Sequence, residues 1–217
     1  MYNRHMPVTT HEIRVCESCG LRYPIEAGNG YGIRCPVCKG NTRLIHSRNL
    51  VADPWPHRPV SNLPVRAVLL DNIRSAWNVG SIFRSADGLG YTHIYLCGIT
   101  PTPNNHAVAK TSLGAEDTVS WSYHKDAVKL VEKLKAENWL IHALEEDASA
   151  RDIGDNQHPN GLSMPSILIL GNEISGVDPG LLELCDKIFY IPMFGEKQSF
   201  NVAMAFSIAA YQLQKQT

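Results

Sequence analysis

Four cysteines stand in two CxxC pairs, Cys16-Glu-Ser-Cys19 and Cys35-Pro-Val-Cys38, with fifteen residues between the pairs. Two tight turns at that spacing can present four sulfurs to one tetrahedral Zn²⁺ at about 2.3 Å each. Gly20 and Gly40 lie just past the turns, where backbone freedom helps the chain fold back. A redox dithiol is usually single and set among βαβ elements, and structural disulfides are rare in a reducing compartment. The doubled motif therefore points to structural zinc, and four thiolates leave the metal no open position for catalysis. Between the pairs, Arg22, Arg34, Tyr23 and Tyr31 are types that hold phosphates and stack bases. They are equally the ordinary surface of a small β-ribbon.

A second set of chemistry-bearing residues is spread over three polar stretches, each placed after an apolar run. "NIRSAWNVGSIFRSADGLG" (72–90) follows "VRAVLLD", "GNEISG" (171–176) follows "SILIL", and "FGEKQSFNVA" (194–203) follows "KIFYIPM". In the first, Ile82, Phe83, Ala86 and Leu89 form an apolar stripe at helical spacing, while Arg84 and Trp77 share a face away from it. No GxGxxG with an acid about 20 residues later is present, and no GxxxxGK[ST], which disfavours a dehydrogenase or a P-loop enzyme. The nine histidines show no metal-ligand spacing such as HExxH, and Cys97 and Cys185 read as buried small apolar residues.

The elements that must position these residues alternate from residue 65 onward. Strands are expected in "VRAVLLD", "THIYLCGI", "DTVSWSY", "WLIHALE", "SILIL" and "KIFYIPM". Helices are expected near 77–88 (opened by Asn and Gly), 106–112, 125–137, 179–185 and 199–215. Asp178-Pro179 is a helix start, and Val202, Phe206, Ala209, Ala210 and Leu213 make one apolar face. The pattern implies an α/β fold with a mostly parallel sheet and helices on both faces, whose ligands sit beyond the carboxyl ends of strands. The three polar stretches all fall at such ends.

A chain of 217 residues suits one full domain and a small appendage. The expected division is 1–48 as a zinc-ribbon-like, RNA-binding segment, 49–64 as a proline-rich linker, and 65–217 as the α/β domain. "VADPWPHRPVSNLP" carries the linker's four prolines. "DASARDIGDNQHPNGLSM" (147–164) is long for a loop and reads as a cover over the site or a mobile excursion. No apolar run approaches about 20 residues, and the N-terminus lacks a signal peptide's apolar core, so a cytoplasmic protein without a membrane partner is expected. Residues 1–50 hold seven Lys/Arg against three Asp/Glu, and the rest 13 against 18. That asymmetry hints at a polyanion, although zinc-bound thiolates would reduce the early excess to about +2.

The three stretches, in this order, resemble motifs 1, 2 and 3 of the SpoU (TrmH-like) family of RNA ribose 2′-O-methyltransferases, in the SPOUT superfamily. "KTSLGAEDTVSW" (110–121) also fits a segment common between motifs 1 and 2, and the resemblance covers about residues 64–214. It implies S-adenosylmethionine as cofactor, tRNA or rRNA as partner, a homodimer, and a C-terminal trefoil knot. By the same resemblance Arg84 would hold the target nucleotide and help activate its 2′-hydroxyl. Its pKa above about 12 makes a poor general base, so anchoring is preferred and the proton acceptor stays open. Asn78 would orient Arg84 or the ribose. Glu173 would hold Arg84 or a neighbouring amide, or else serve as a helix N-terminal acid. Ser199 and Asn201 would contact ribose or cofactor, or cap the last helix. Leu144, Gly171, Asn172, Ile191, Ser199 and Phe200 would line the cofactor; Phe200 stands where the family more often has Leu. The alternatives are a SPOUT enzyme acting on a base nitrogen, a non-catalytic RNA-binding module, and a protein–protein adaptor.

Overall fold

The computed structural model describes residues 9–28, 34–50, 64–155 and 164–215 and divides the chain into two units, Met1–Pro59 and Val60–Thr217. In the first unit, Thr9–Cys16 (β1) pairs antiparallel with Arg22–Glu26 (β2) on one side and Thr42–Leu50 (β3) on the other. Among its described residues only Cys16 and Cys35 are fully buried. Three short strands cannot build a core of their own, so cross-linking at the cysteines has to supply what burial does not. The β1–β3 ladder slips at one point: Arg14 lies opposite Leu44, but Ile13 lies opposite His46.

Side chains of adjacent strand residues point to opposite faces, and this corrects the mixed Arg/Tyr surface expected from the sequence. Arg22 is exposed and opposite Val15, whereas Tyr23 is half-buried and opposite Arg14. Arg34 lies outside the strands in an isolated bridge to Asn41. Tyr31 and residues 51–63 of the proline-rich joint lie outside the described residues.

Among its described residues the second unit holds seven strands: β4 (Arg66–Asp71), β5 (His93–Cys97), β6 (Ser120–His124), β7 (Leu140–Leu144), β8 (Arg151–Asp152), β9 (Ser166–Leu170) and β10 (Lys187–Tyr190). They are ordered β6-β5-β4-β9-β7-β10-β8, and every pair is parallel. Every position of β4 and β9 is buried, as expected of central strands covered on both sides. The helices are α1 (Ala76–Gly88), α2 (His106–Ser112), α3 (Ala127–Ala136), α4 (Pro179–Leu182) and α5 (Val202–Lys215). One core gathers Val68 and Leu70 of β4 with Val79, Ile82, Phe83 and Ala86 of α1, Val108 of α2 and Phe206, Ala209 and Ala210 of α5. The other gathers Ala67 and Leu69 with Leu130, Val131 and Leu134 of α3 and Leu181 of α4. The α/β fold with helices on both faces is thus present.

Several expected boundaries move. The first helix opens at Ala76, because Ser75 caps it by accepting from the Asn78 N–H at 3.3 Å; Asn78 and Gly80 lie inside the helix. The last opens at Val202, not at 199, behind Asn201, whose side chain accepts from the Ala203 N–H at 3.0 Å. Asp178 caps α4 as expected, accepting from the Gly180 N–H at 2.7 Å, but α4 is a single turn ending at Leu182. The 147–164 stretch is not all loop. Arg151–Asp152 adds a parallel edge strand to β10, Ile153 in the following 3₁₀ turn is 3% exposed, and 156–163 lie outside the described residues.

Gly80 has a packing reason. A β-carbon there would collide with the Thr111 side chain and the Val108 carbonyl of α2. Gly80→Ala is expected to force α1 and α2 apart and to cost about 1–3 kcal/mol by overpacking. Denaturant titration checks this; an unchanged midpoint would refute the close approach.

Candidate active site and metal centre

Sheet order decides where a ligand can enter. From β4 the chain steps outward through β5 to β6, then begins again on the other side of β4 with β7 and β9. The crevice beyond the carboxyl ends of strands at such a reversal is the usual ligand site in open α/β sheets, and the loops after β4 and β9 flank it. The loop after β9 is closed by reciprocal bonds of 2.9 Å between the backbones of Asn172 and Gly176. The Asn172 side chain accepts from the Ile174 and Ser175 N–H groups at 2.9 and 3.2 Å and donates to the Asn72 carbonyl at 2.6 Å. At Gly171 a β-carbon would collide with the Gly176 and Val177 backbone.

Glu173 then reaches across to the N-terminus of α1. Its carboxylate accepts from the Arg74 N–H at 2.9 Å, the Ser75 N–H at 3.1 Å and the Asn78 side-chain amide at 3.0 Å. The Asn78 carbonyl oxygen accepts in turn from the Asn201 amide at 3.0 Å. Burial pushes the Glu173 carboxyl up, but the hydrogen bonds from Arg74, its own N–H, Asn78 and Ser75 outweigh that and hold it below the usual carboxylate range. Behind it, Asp71 accepts from the Asp178 N–H at 3.1 Å and the Asn72 amide at 2.7 Å. Burial there wins and pushes the Asp71 carboxyl up.

The crevice is a cleft of about 470 Å³ whose walls include Leu144, Gly171, Asn172, Ile191, Ser199 and Phe200, with Glu173 and Asn201. All six residues expected to line a cofactor are therefore brought together. Asn172 contributes backbone there, since its side chain is spent on the loop and on Asn72. Glu145 and Glu146 also line the cleft and were missed, although both follow the end of β7 and the strand-end rule points at them. Glu145 is a strut: it accepts from the Val177 N–H at 2.8 Å and from the Glu146 N–H at 2.9 Å.

Two expected contacts are absent, and both involve Arg84. Neither Glu173 nor Asn78 holds it; the neighbouring-amide and helix-terminus roles are the ones Glu173 fills. Six residues along a helix turn the chain by about 240° and advance it about 9 Å, so Asn78 and Arg84 cannot share a face. Arg84 is exposed, with no hydrogen bond or ion pair from its guanidinium among the described residues. Trp77, on Arg84's side of α1, is 53% exposed, with the Lys110 ammonium 5.5 Å from its ring centre. Ser199 and Phe200 are exposed at the cleft rim, and Asn201 both caps α5 and joins the network.

In the first unit the sulfurs of Cys16, Cys19, Cys35 and Cys38 all lie within 4.8 Å of one another. Cys16 and Cys38 are 3.3 Å apart and Cys19 and Cys35 3.7 Å, close to the edge of about 3.8 Å that a tetrahedron with 2.3 Å Zn–S bonds requires. The Cys19 N–H, aimed at the sulfur, holds the Cys16 thiol down at about 6. The Cys38 N–H acts likewise on Cys35. At Cys19 the Leu21 N–H pulls down too, but the neighbouring Cys38 and Cys16 sulfurs outweigh it and push that thiol up to about 12. Four sulfurs this close cannot all ionise without a cation among them, and the donor set fits structural zinc. One detail differs from expectation: after the second turn it is Lys39, at φ 61°, that takes the left-handed conformation. Gly40 instead packs where a β-carbon would meet Ser18.

A parallel sheet with a polar cleft at its strand-order reversal defines an α/β domain built to hold a small ligand. The chain belongs to the SpoU rRNA Methylase family, whose model matches residues 66–211. It is 29% identical over 161 residues to the 23S rRNA (guanosine(2553)-2′-O)-methyltransferase RlmP of Bacillus subtilis, covering 72% of this chain and 62% of that protein. It is 29% identical over 159 residues to a tRNA (guanosine(18)-2′-O)-methyltransferase of Aquifex aeolicus, covering 69% and 68%. The fold matches that of an AdoMet-bound rRNA methyltransferase from Sinorhizobium meliloti with a TM-score of 0.64 and 23% identity, over 73% of this chain and 60% of that one. No helix among the described residues is long and apolar enough to cross a membrane.

Elemental analysis is expected to find one zinc per chain, lost when Cys16 and Cys19 both become Ser. A folded, metal-free native protein would refute the centre. The Glu173 tie has a pH signature. A carboxyl whose folded pKa is depressed contributes stability above its unfolded pKa and loses it as pH falls through the folded one. Hydrogen-exchange protection of the Arg74 and Ser75 amides should therefore persist below about 4.3, the ordinary Glu value, and vanish only at lower pH. Glu173→Gln should remove that acid transition.

Proposed function

We propose that this protein transfers a methyl group from S-adenosylmethionine to a ribose 2′-hydroxyl of tRNA or rRNA. The observation that carries the reading is the Asn201–Asn78–Glu173 chain of hydrogen bonds, which gathers all three motif loops at one cleft. The walls suit the cofactor: a volume of about 470 Å³ is in the small-molecule range, and apolar Leu144, Leu170 and Ile191 alternate with carboxylates that favour its cationic groups. When bound, the cofactor supplies an electrophilic methyl group. Leu144, Gly171, Asn172, Ile191, Ser199 and Phe200 would hold it.

The residues of the chain have the remaining work of positioning. Glu173 fixes the start of α1, and that helix carries Arg84 on an open face where its guanidinium would take a phosphate or hydroxyl of the target nucleotide. Ser199 and Asn201 would border the ribose. A homodimer is proposed from the family resemblance and from Trp77, Met204 and Tyr211, which are all half-exposed on α1 and α5; light scattering tests it. The trefoil knot and a cytoplasmic site of action are proposed on the same resemblance. The division of labour between a zinc ribbon at 1–48, a joint at 49–64 and the methyltransferase domain at 65–217 is proposed from the doubled CxxC spacing, the prolines of 51–64 and the family match over 66–211.

Arg84→Ala is expected to leave S-adenosylmethionine affinity nearly unchanged and to lower single-turnover methylation by several orders of magnitude. Arg84→Lys should rescue little, because an ammonium lacks the forked donor set of a guanidinium. Gly171→Val should abolish cofactor binding first. Calorimetric titration of the cofactor beside single-turnover assays separates the two classes; parallel loss of binding and turnover in Arg84→Ala would refute its placement.

A further inference from the structure

We propose that one face of the three-stranded sheet in the first unit is an RNA-backbone-binding surface, made by Arg22, Arg43 and Arg48. This deepens the RNA reading above and rests on it.

The face is defined by register. Across β2-β1-β3, Arg22 and Arg43 flank Val15, Pro24 and His46 flank Ile13, and Glu26 and Arg48 flank His11. Residues directly opposite each other share a face, so these nine form one surface. Arg22, Arg43, His46 and Arg48 are all exposed. None of the three arginines makes an ion pair or side-chain hydrogen bond among the described residues. The other face is neutral: its only charged pair is Arg14 with Glu12, 2.6 Å apart, beside Thr10, Tyr23, Ile25, Leu44, Ser47 and Asn49.

This asymmetry depends on the slip in the β1–β3 ladder. Arg43 and Arg48 are an odd number of residues apart, so in a regular strand they would point to opposite faces. The extra residue between Leu44 and His46 restores the phase, as a β-bulge does, and brings both arginines round to join Arg22. A strand pairing without that residue would leave a single arginine on each side of β3.

The chemistry of the face selects the partner. Three unpaired guanidiniums are set against one carboxylate, Glu26. Arg22 and Arg43 sit two strands apart, about 10 Å, on either side of an apolar centre at Ile13 and Val15. A spread set of forked donors around a half-buried apolar strip suits successive phosphates of a polynucleotide better than one small anion. RNA is the polyanion that the family of the second unit acts on. The surface would hold the backbone and leave sequence to the other unit.

The test uses the full-length protein with no methyl donor present, so failure of this surface and failure of the methyl-transfer reading are read separately. Wild type, the triple variant Arg22→Gln/Arg43→Gln/Arg48→Gln and the opposite-face variant Glu12→Gln/Arg14→Gln are titrated against a labelled single-stranded RNA oligonucleotide and against unfractionated tRNA. Zinc content and cofactor affinity of each variant verify folding. Each phosphate contact contributes about 0.7 to the salt slope for single strands. The triple variant should thus bind both probes at least about tenfold more weakly near 100 mM salt, with a slope smaller by about 2. The opposite-face variant should match wild type. Unchanged RNA affinity and slope in the zinc-loaded triple variant would overturn the proposal, as would equal losses in both variants or a wild type that binds neither probe.

Discussion

The site depends on one carboxylate meeting one helix end. A helix begins with four N–H groups that its own turns cannot satisfy, and with a partial positive charge. Ser75 takes the N–H of Asn78, and Glu173, 95 residues from Asn78, takes the side-chain amide. Glu173 also takes the N–H groups of Arg74 and Ser75, just ahead of the helix. The loop after β9 is thereby fixed to the start of α1. Because a helix is stiff, the same contact sets the position of Arg84 two turns further on. Asn78 extends the tie to Asn201, and Asn201 is itself the cap of α5. Three segments distant in sequence become one site through a handful of hydrogen bonds, each contributing only about 1 kcal/mol. Their value lies in geometry more than in stability.

Much of this was legible in the residues. The apolar runs of β4 and β9 announced a parallel sheet, the Asp178-Pro179 start was read correctly, and strand ends pointed to 72–90, 171–176 and 194–203. The gathering of Leu144, Gly171, Asn172, Ile191, Ser199 and Phe200 at one cleft followed from that rule and the family motifs together. What escaped was anything set by contacts between distant elements. Nothing local says that Ser75, and not Asn78, caps α1, because both are capping types. The two-residue strand Arg151–Asp152 has no periodicity to detect; it exists only because β10 offers an edge. The divergence of Asn78 and Arg84, by contrast, was legible: six residues at about 100° each put them on different faces of any helix that holds both.

The first unit carries the same lesson. Its four cysteines were unambiguous from spacing, since metal geometry constrains sequence directly. The alternation of Arg22 and Tyr23 between faces needed only the strand assignment. The phase change in β3 did not follow from any residue type, and it decides which arginines share a surface. Gly40 and Lys39 show a similar exchange: the left-handed position fell one residue earlier than the glycine suggested, because Gly40 is needed for its small size against Ser18.

The most direct measurement supplies the purified protein with RNA and with S-adenosylmethionine bearing a deuterated methyl group, then digests the RNA and locates the label by nucleoside mass spectrometry. The expected result is label confined to the ribose fragment of one nucleoside, at a linkage resistant to nuclease, from tRNA or rRNA. Label on the base fragment would contradict ribose methylation while leaving the cofactor cleft intact. No label in any RNA, from protein that binds the cofactor, would contradict the account as a whole.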